Sequence, residues 1–268
     1  MTGTMRRLAL MLEYDGSAFA GAQLQPDQRT IQGTLEAAWR EFTGEDRRVR
    51  FAGRTDTGVH ARGQVATIDS DTAHDSVTVR SALNHFLSDD LAVRAATEVA
   101  ATFDARRHAT SRVYHFAIED GRTRSPLSRD HAWQLHDRLD AGAMTAAATR
   151  LPFEERDWAA FGGPTPDDYP TVRRLHRSDL RRVAPHRIEY TIAASGFLPH
   201  QVRRTVGALA EVGSGRLTSD QFADLIDGPP GSAGPTAPPQ GLTMLHVHYP
   251  TGAVDWTAGC AGDGTEEI

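Results

Sequence analysis

Residues 51–61 read FAGRTDTGVHA and place an aspartate on a loop between two apolar segments with the pattern of strands, near 49–52 and 65–68. Two glycines inside this stretch allow the backbone to approach a ligand closely. Asp56 on such a loop can act as a nucleophile, a base or a metal ligand, and Arg54 can hold a phosphate or a carboxylate. The alternative is an Asx-turn, in which the Asp56 carboxylate only caps its own loop. The residues alone leave both interpretations open.

Around this loop, strand and helix patterns alternate along the chain. Several neighbouring strands are joined by short turns, which favours mixed, mainly antiparallel sheets flanked by helices, so the predicted class is α+β. One helix with a single apolar stripe begins after Thr30, a good capping residue, and ends at Gly44. The other strands are predicted near residues 8–14, 93–99, 112–118, 174–183, 187–195 and 243–249, and the other helices near 77–87, 200–212 and 219–226. For residues 130–170, only helix and loop are predicted.

The length of 268 residues, with 39% hydrophobic and 24% charged residues, is typical of a globular chain of one or two domains. The two halves have a similar layout, so we expect an N-terminal α+β domain in residues 1–105, which carries the aspartate loop, and a C-terminal α+β domain in 106–250. Residues 228–241 hold four glycines and five prolines and are interpreted as a stiff surface connection. The acidic residues 251–268 are predicted to be disordered.

The expected compartment is the cytoplasm. The single cysteine, Cys260, excludes an intrachain disulfide, which suits a reducing environment. No run approaches the ~20 apolar residues of a membrane span, so no membrane partner is expected.

The charge distribution is uneven along the chain. The net charge is −6, from 29 basic residues, all arginine, and 35 acidic residues. Residues 171–204 nevertheless contain eight arginines against two acids. Such a segment is typical of a phosphate-binding surface. It is equally typical of a solvated pair of strands whose arginines pair with acids elsewhere.

Two further segments carry candidate site residues. A predicted helix places Arg203 on the side of Gly207, where the missing side chain leaves space, so Arg203 can point into a cleft and neutralise a carboxylate such as Asp56. The alternative is an arginine exposed on the helix surface. On a predicted strand Arg112 and Tyr114 share a face, and a tyrosine beside an arginine can stack a base. Half-buried packing is the alternative for Tyr114.

No metal or organic cofactor is predicted from the residues. His246 and His248 lie on one strand face, but zinc needs a third ligand and no cysteine pair accompanies them. Both histidines are therefore interpreted as structural or solvent-facing. The chain also lacks a P-loop, a dinucleotide fingerprint and the nucleophile elbow of hydrolases.

Taken together, several segments resemble the tRNA pseudouridine synthase A family. The resemblance spans about residues 7–250 and is weakest between 134 and 170. Its most specific segment is FAGRTDTGVHARGQV at residues 51–65. The other matching segments include FDARRHATSRVYHF at 103–116, GFLPHQVRRTVGAL at 196–209 and GPTAPPQGLTMLHVHY at 234–249.

The resemblance implies the pseudouridine synthase fold, with two similar α+β domains and a positively charged cleft between them. It implies an isomerase that converts uridine to pseudouridine at positions 38, 39 and/or 40 in the anticodon stem-loop of tRNA. It further implies a homodimer that binds tRNA and needs neither a metal nor another cofactor.

By position, the resemblance also assigns roles to residues. The catalytic residues are Asp56 as the essential carboxylate, Arg203 as its partner, and Tyr114 as the aromatic that stacks on the target base. Arg54 is assigned to displacing that base, and Leu242 to an apolar pocket.

Thr55, Arg112 and Arg204 neighbour these residues and are expected to contact the RNA. The target base has to leave the stack, which costs roughly a few kcal/mol. An ionised Asp56 can then attack the sugar C1′ or the base C6, or assist the loss of a ribose proton. The sequence leaves these three routes open.

Two segments depart from the family pattern. Ala22 stands where the pattern usually has Trp, which puts the packing near the loop in doubt. On the helix, Gln201 and Arg204 stand where Met and Asn are usual, so Arg203 is retained and Arg204 adds a charge.

Two other functions are consistent with the residues. A non-catalytic RNA-binding protein on the same scaffold would use the basic segment and Tyr114 equally well, but binding alone needs no carboxylate facing an arginine. A metal-dependent hydrolase would use Asp56, His60 and the pair of His246 and His248, and a chelator would abolish its activity.

Overall fold

The structure, a computed structural model, describes residues 5–121 and 123–257. The chain divides into two compact units. The first takes in the residues up to Thr110 and those from His246 onward, and the second takes in Ser111–Leu245. The sequence predicts the whole of the last strand in the second domain, whereas the structure assigns the end of that strand to the first unit.

The first unit is built from antiparallel strands and two helices. Its elements are β1 (Arg6–Tyr14), α1 (Ile31–Thr43), β2 (Arg50–Phe51), β3 (His60–Ser70), α2 (Ser76–Phe86) and β4 (Leu91–Val99). The order of the main strands is β4-β1-β3, and β2 pairs with β3. The residues between β2 and β3, 52–59, are called the Asp loop below.

Helix α1 begins and ends where its sequence predicts. The Thr30 hydroxyl accepts a hydrogen bond from the Gly33 N–H, and Gly44, with a φ of 74°, ends the helix in the left-handed conformation. Leu35 and Trp39 lie on the buried stripe of the helix. These boundaries are confirmed because local capping chemistry sets them.

Strand β3 begins earlier than its sequence predicts. The predicted strand lies near residues 65–68, after Gly63. In the structure β3 begins at His60, since its ladder with β1 extends to the pair formed by Tyr14 and Ala61. The Asp loop is therefore short and is followed directly by a paired strand.

The second unit is built on a mixed sheet with three helices. Its elements are β5 (Ser111–Glu119), β6 (Trp133–Gln134), α3 (Ala141–Ala148), β7 (Glu155–Asp157), β8 (Val172–Ala184), β9 (Arg187–Ala194), α4 (Gln201–Gly213), α5 (Ser219–Asp224) and the start of β10 (Leu242–His248). The order of its main strands is β10-β5-β9-β8-β7. Strand β6 pairs with β5 in parallel, whereas the β5–β9, β9–β8 and β8–β7 pairs are antiparallel. The predicted α+β class with a mixed, mainly antiparallel sheet is confirmed.

An aromatic cluster fills part of the core of the second unit. The rings of Trp158 and Phe222 both lie against the ring of Phe161, and all three side chains are fully buried. Helix α3 packs against β8 and α4. Residues 130–170, predicted as helix and loop only, also contain the short strands β6 and β7.

The predicted acidic tail is described only in part. Residues 251–257 form turns and bends after β10, whereas residues 258–268, with Cys260, lie outside the described residues. No helix within residues 5–121 and 123–257 combines the length and the apolar character that a membrane span requires.

The segment rich in proline and glycine, residues 228–241, is a connection at the surface, with Pro229 and Pro235 exposed, but it also packs against α4. The carbonyl oxygen of Pro235 fills the space beside Gly207, where a Cβ atom would lie 1.9 Å from it. Ala233 and Ala237 of the segment are almost fully buried. The prediction that Gly207 leaves open space is wrong, because the backbone of a distant segment occupies it.

Replacing Gly207 with alanine is expected to destabilise the protein. In an unobstructed helix this change adds about 1 kcal/mol of stability. Here the new methyl group collides with the Pro235 carbonyl, and overpacking of this kind costs about 1–3 kcal/mol. Urea denaturation followed by circular dichroism measures the free energy of unfolding.

The matched control is Gly142→Ala, a change at an exposed position of α3. We expect this variant to keep or raise the free energy of unfolding. An equal free energy of unfolding in the two variants would contradict the close approach of the Pro235 carbonyl to Gly207.

Candidate active site

The predicted site residues form two groups, one in each unit. The first group lies on the Asp loop and consists of Arg54, Thr55 and Asp56. The second group comprises Arg112, Tyr114, Arg203, Arg204 and Leu242.

The Asp loop is closed by its own backbone. The Val59 N–H donates to the Asp56 carbonyl (3.2 Å), and Gly58 adopts a left-handed conformation (φ 77°) that suits glycine. Arg54 is exposed and Asp56 is half-buried, whereas Thr55 between them is buried. The two charged residues of the loop therefore keep access to solvent.

A second backbone segment holds the Asp loop next to the start of α1. The Ala22 N–H donates to the Thr55 carbonyl (3.0 Å). Gly21 (φ 92°) allows this approach, because a Cβ atom there would lie 2.9 Å from the same carbonyl oxygen. The carbonyls of Gly21 and Ala22 accept hydrogen bonds from the N–H groups of Ile31 and Gln32. The Asp loop and the beginning of α1 are thereby fixed to each other.

Ala22 is the position at which the family pattern usually has Trp. Its side chain is fully buried, and its hydrogen bond to Thr55 is made by the backbone. The departure therefore changes local packing but keeps this anchor of the Asp loop.

Buried polar side chains bond to one another and to the Asp loop. The hydroxyl oxygens of Tyr14 and Thr55 are 2.8 Å apart. The Gln64 Nε2 donates to the Gly53 carbonyl (2.8 Å) and, at 3.4 Å, to the Tyr14 hydroxyl. Burial raises the pKa of Tyr14, so its hydroxyl stays protonated at neutral pH.

Tyr14 and Gln64 do not stand out in the sequence as site residues. One signal was available for Gln64, because it is an amide directly before the apolar run of β3 and a buried amide has to find a partner. Thr55, which is expected from the sequence to contact RNA, is 6% exposed, and its hydroxyl meets that of Tyr14.

In the second unit, Tyr114 lies on β5 opposite Ile192 of β9. It is 8% exposed, and the edge-to-face contact with Phe197 has a centroid distance of 5.2 Å. Arg112, two residues earlier, donates from Nη1 to the Ser195 carbonyl (2.7 Å). Packing therefore fixes the Tyr114 ring, and a hydrogen bond orients the Arg112 guanidinium.

Helix α4 holds the 228–241 segment through two adjacent arginines. The Arg203 Nε donates to the Ala237 carbonyl (2.7 Å), and the Ala237 N–H donates to the Arg203 carbonyl (3.0 Å). The Arg204 Nη1 donates to the Gly231 carbonyl (2.5 Å). Its Nε is buried and finds no hydrogen-bond partner among the described residues. Leu242, which is also buried, begins β10 where this segment ends.

In the basic segment 171–204, some arginines pair with acids, and others are exposed at the surface. Arg182 pairs with the fully buried Asp120 (2.7 Å). Burial alone would raise the pKa of Asp120, but the hydrogen bonds from Arg182 and from the Leu139 N–H, together with the nearby arginine charges, outweigh it, and the pKa lies below its usual value. Arg174 and Arg181 of β8 are exposed and form no ion pair with any described residue. Other pairs in this segment are Arg177 with Asp179, and Arg187 with Glu119 and Glu189.

The histidines considered as metal ligands have different surroundings. His60 is buried, with its Nδ1 3.1 Å from the Gly16 nitrogen. His246 and His248 are exposed on β10, and their ring centroids are 4.5 Å apart.

Comparison with known proteins assigns the class. A family model described as tRNA pseudouridine synthase matches residues 10–106 and 155–250 and so covers the Asp loop and α4. The chain belongs to the tRNA pseudouridine synthase family, and its class of enzyme is that of the isomerases. The resemblance drawn from the motifs is confirmed.

Individual relatives are similar over almost their whole length. The tRNA pseudouridine synthase A of Roseiflexus sp. (strain RS-1) is 43% identical over 257 residues, which cover 94% of each chain. The protein of the same name from Geobacter sulfurreducens is 40% identical over 246 residues, 91% of this chain and 100% of the relative. That from Xanthobacter autotrophicus is 42% identical over 247 residues, with the same coverage.

Arg204→Ala is expected to loosen the 228–241 segment. The change removes a charged hydrogen bond to a backbone carbonyl, and such bonds contribute about 1.5–3 kcal/mol. We expect a lower free energy of unfolding in urea and faster cleavage within residues 228–241 during limited proteolysis, with the cleavage sites identified by mass spectrometry.

Arg216→Ala is the matched control for this variant. The Arg216 guanidinium pairs with Glu211 at an exposed surface, where an ion pair adds little over solvation by water. If the Arg204 variant unfolds and is cleaved in the same way as this control, the role of Arg204 as an anchor is contradicted.

Proposed function

We propose that this chain isomerises uridine to pseudouridine at positions 38, 39 and/or 40 in the anticodon stem-loop of tRNA, with Asp56 as the catalytic carboxylate. Membership of the tRNA pseudouridine synthase family supports the reaction and the substrate. The observation that carries the role of Asp56 is the construction of its loop. Thr55 is anchored on two sides, while Asp56, the next residue, keeps access to solvent.

The reaction breaks the glycosidic bond between C1′ and N1 and forms a bond between C1′ and C5, while the base is retained. The proton on C5 is then lost to solvent and N1 takes up a proton, so the product is an isomer of the substrate. Asp56 acts at the sugar C1′, at the base C6, or by assisting the loss of a ribose proton. In each route an ionised carboxylate has to be held at a fixed place, and the protein lowers the barrier by orienting it in advance.

The target base has to leave the stack, which costs roughly a few kcal/mol. Tyr114 and Leu242 supply an apolar surface for the displaced base, and Tyr114 also takes part in removing the C5 proton. The exposed Arg54 fills the vacated space or holds the phosphate. Arg203, as the partner of Asp56, favours its ionised form when RNA excludes water.

Contacts to the tRNA backbone come from arginines. Arg174 and Arg181 are the first candidates in the basic segment, because both are exposed and neither forms an ion pair within 4 Å with a described acid, although a glutamate lies opposite each on the neighbouring strand. Arg112 and Arg204 each donate to a backbone carbonyl, which orients the guanidinium, and both contact the RNA in this proposal.

The remaining proposals rest on the family. They are a homodimer, a cytoplasmic location, the cleft between two domains that is typical of the pseudouridine synthase fold, and a reaction without a metal or an organic cofactor. Thr55 serves the RNA site through its backbone and through the placement of its neighbours.

Asp56→Asn is expected to lower the rate of isomerisation by more than about 10³-fold, because an amide cannot replace an anionic carboxylate in the chemical step. Binding of tRNA should stay close to that of the wild type. The release of tritium from a tRNA transcript labelled at uridine C5 measures the reaction, in parallel with and without a chelator.

The control for a loss of negative charge is Asp46→Asn, at a highly exposed position of the first unit. This variant should catalyse the reaction as fast as the wild type. Full activity of Asp56→Asn would refute the role of its carboxylate. Tight binding without tritium release by the wild type would favour an RNA-binding protein, and wild-type activity that the chelator abolishes would favour a metal-dependent enzyme.

The double variant Arg174→Gln with Arg181→Gln is expected to weaken tRNA binding. If each arginine neutralises one phosphate, the slope of log affinity against log salt concentration falls by about two, while kcat at saturating tRNA is unchanged. Filter binding over a series of salt concentrations measures the slope. Arg40→Gln, on α1 of the first unit, removes an arginine charge that is paired with Asp46 (3.2 Å) and should leave the slope as it is. An unchanged slope in the double variant would exclude β8 from the tRNA surface.

A further inference from the structure

We infer that Tyr14 and Gln64 are positioning residues of the active site: they hold Thr55 and Gly53 from the buried side and thereby fix the directions of Arg54 and Asp56. Neither residue touches the reacting atoms in this inference. It rests on the proposed function, because it takes Asp56 as the catalytic carboxylate.

The order of residues along the loop is the first observation. Gly53 and Thr55 are bonded to buried side chains, to the Gln64 amide and the Tyr14 hydroxyl respectively. Arg54 is exposed and Asp56 is half-buried, whereas Thr55 between them is buried. Each proposed functional residue therefore directly follows an anchored one.

The burial of the anchors is the second observation. Tyr14 is 3% exposed and Gln64 is 0% exposed. Water cannot readily replace a bond lost at this depth, and a buried polar group without a partner costs free energy. Because the Gln64 Nε2 donates both to the Gly53 carbonyl and to the Tyr14 hydroxyl, the two anchors are also joined to each other.

A backbone hydrogen bond to Thr55 allows a loss of positioning to be distinguished from a loss of folding. The Thr55 carbonyl accepts a hydrogen bond from the Ala22 N–H, and this bond does not involve Tyr14. Loss of the Tyr14 hydroxyl therefore leaves the loop attached to the protein but frees the Thr55 side chain to rotate. Asp56 then samples directions other than the productive one.

The test is Tyr14→Phe, which removes one oxygen atom and keeps the buried ring. A misplacement on the order of 1 Å can cost about a hundredfold in rate, so we expect kcat to fall about 10- to 100-fold. The KM and the dissociation constant for tRNA should change by no more than about twofold, because the change lies below the RNA surface. Single-turnover tritium release and filter binding provide these values.

The matched control is Tyr190→Phe. Tyr190 is fully buried in the second unit, and its hydroxyl is 3.0 Å from the Ser178 Oγ, so this change removes the same kind of buried hydroxyl bond away from the Asp loop. It should leave kcat unchanged. An equal fall in kcat in both variants would show a general loss of stability and would overturn the inference.

A double-variant cycle gives an independent test. Thr55→Val breaks the same hydroxyl pair from the other side, so it should lower kcat to a similar extent. The double variant should then be no slower than the slower single variant by more than about twofold, because both changes remove the same bond between the two hydroxyls. Multiplicative losses would overturn the inference. If Tyr14→Phe does not fold, Thr55→Val alone decides: wild-type kcat in that variant would also overturn it.

The two variants Tyr14→Phe and Asp56→Asn distinguish a failure of this inference from a failure of the proposed function. A wild-type kcat for Tyr14→Phe, together with an inactive Asp56→Asn, would remove Tyr14 as a positioning residue but retain Asp56. An active Asp56→Asn would remove the proposed catalytic carboxylate itself.

Discussion

Thr55 is hydrogen-bonded on two sides, through its carbonyl to the Ala22 N–H and through its hydroxyl to Tyr14. Ala22 is tied to the start of α1, and Tyr14 is the last residue of β1, so the loop, the helix and the strand form one framework. Asp56 follows Thr55 directly. Buried groups therefore constrain the backbone that leads into Asp56, and under the proposed function they orient the site before the substrate binds.

The second unit depends on a close approach of two backbones. Gly207 lets the Pro235 carbonyl lie directly against α4, and the neighbouring Arg203 and Arg204 hold the same segment through further carbonyls. This segment leads directly into Leu242 at the start of β10. The two arginines thus have a structural function on their helix in addition to the roles proposed for them toward substrate. That double use explains why a helix that is mostly buried carries two adjacent charges.

The sequence predicts well those features that neighbouring residues determine. The Thr30 cap and the end of α1 at Gly44 follow from neighbouring residues alone, and the motifs around Asp56 were specific enough to identify the family. Errors occur where distant residues decide: β3 begins at His60 because β1 pairs with it, and the space beside Gly207 is filled from a segment far along the chain. The hydrogen bonds beneath the Asp loop cannot be predicted from the sequence for the same reason, since strand pairing brings Tyr14 and Gln64 together.

The most direct test of the proposed activity is to map pseudouridine in one tRNA transcript that carries uridines at 38, 39 and 40 and elsewhere. After incubation with the protein, carbodiimide labelling and primer extension locate each pseudouridine at single-nucleotide resolution. The predicted result is pseudouridine at one or more of these three positions and at no other uridine. Pseudouridine only outside the anticodon stem-loop, or an unmodified transcript that is nevertheless bound, would contradict the assignment.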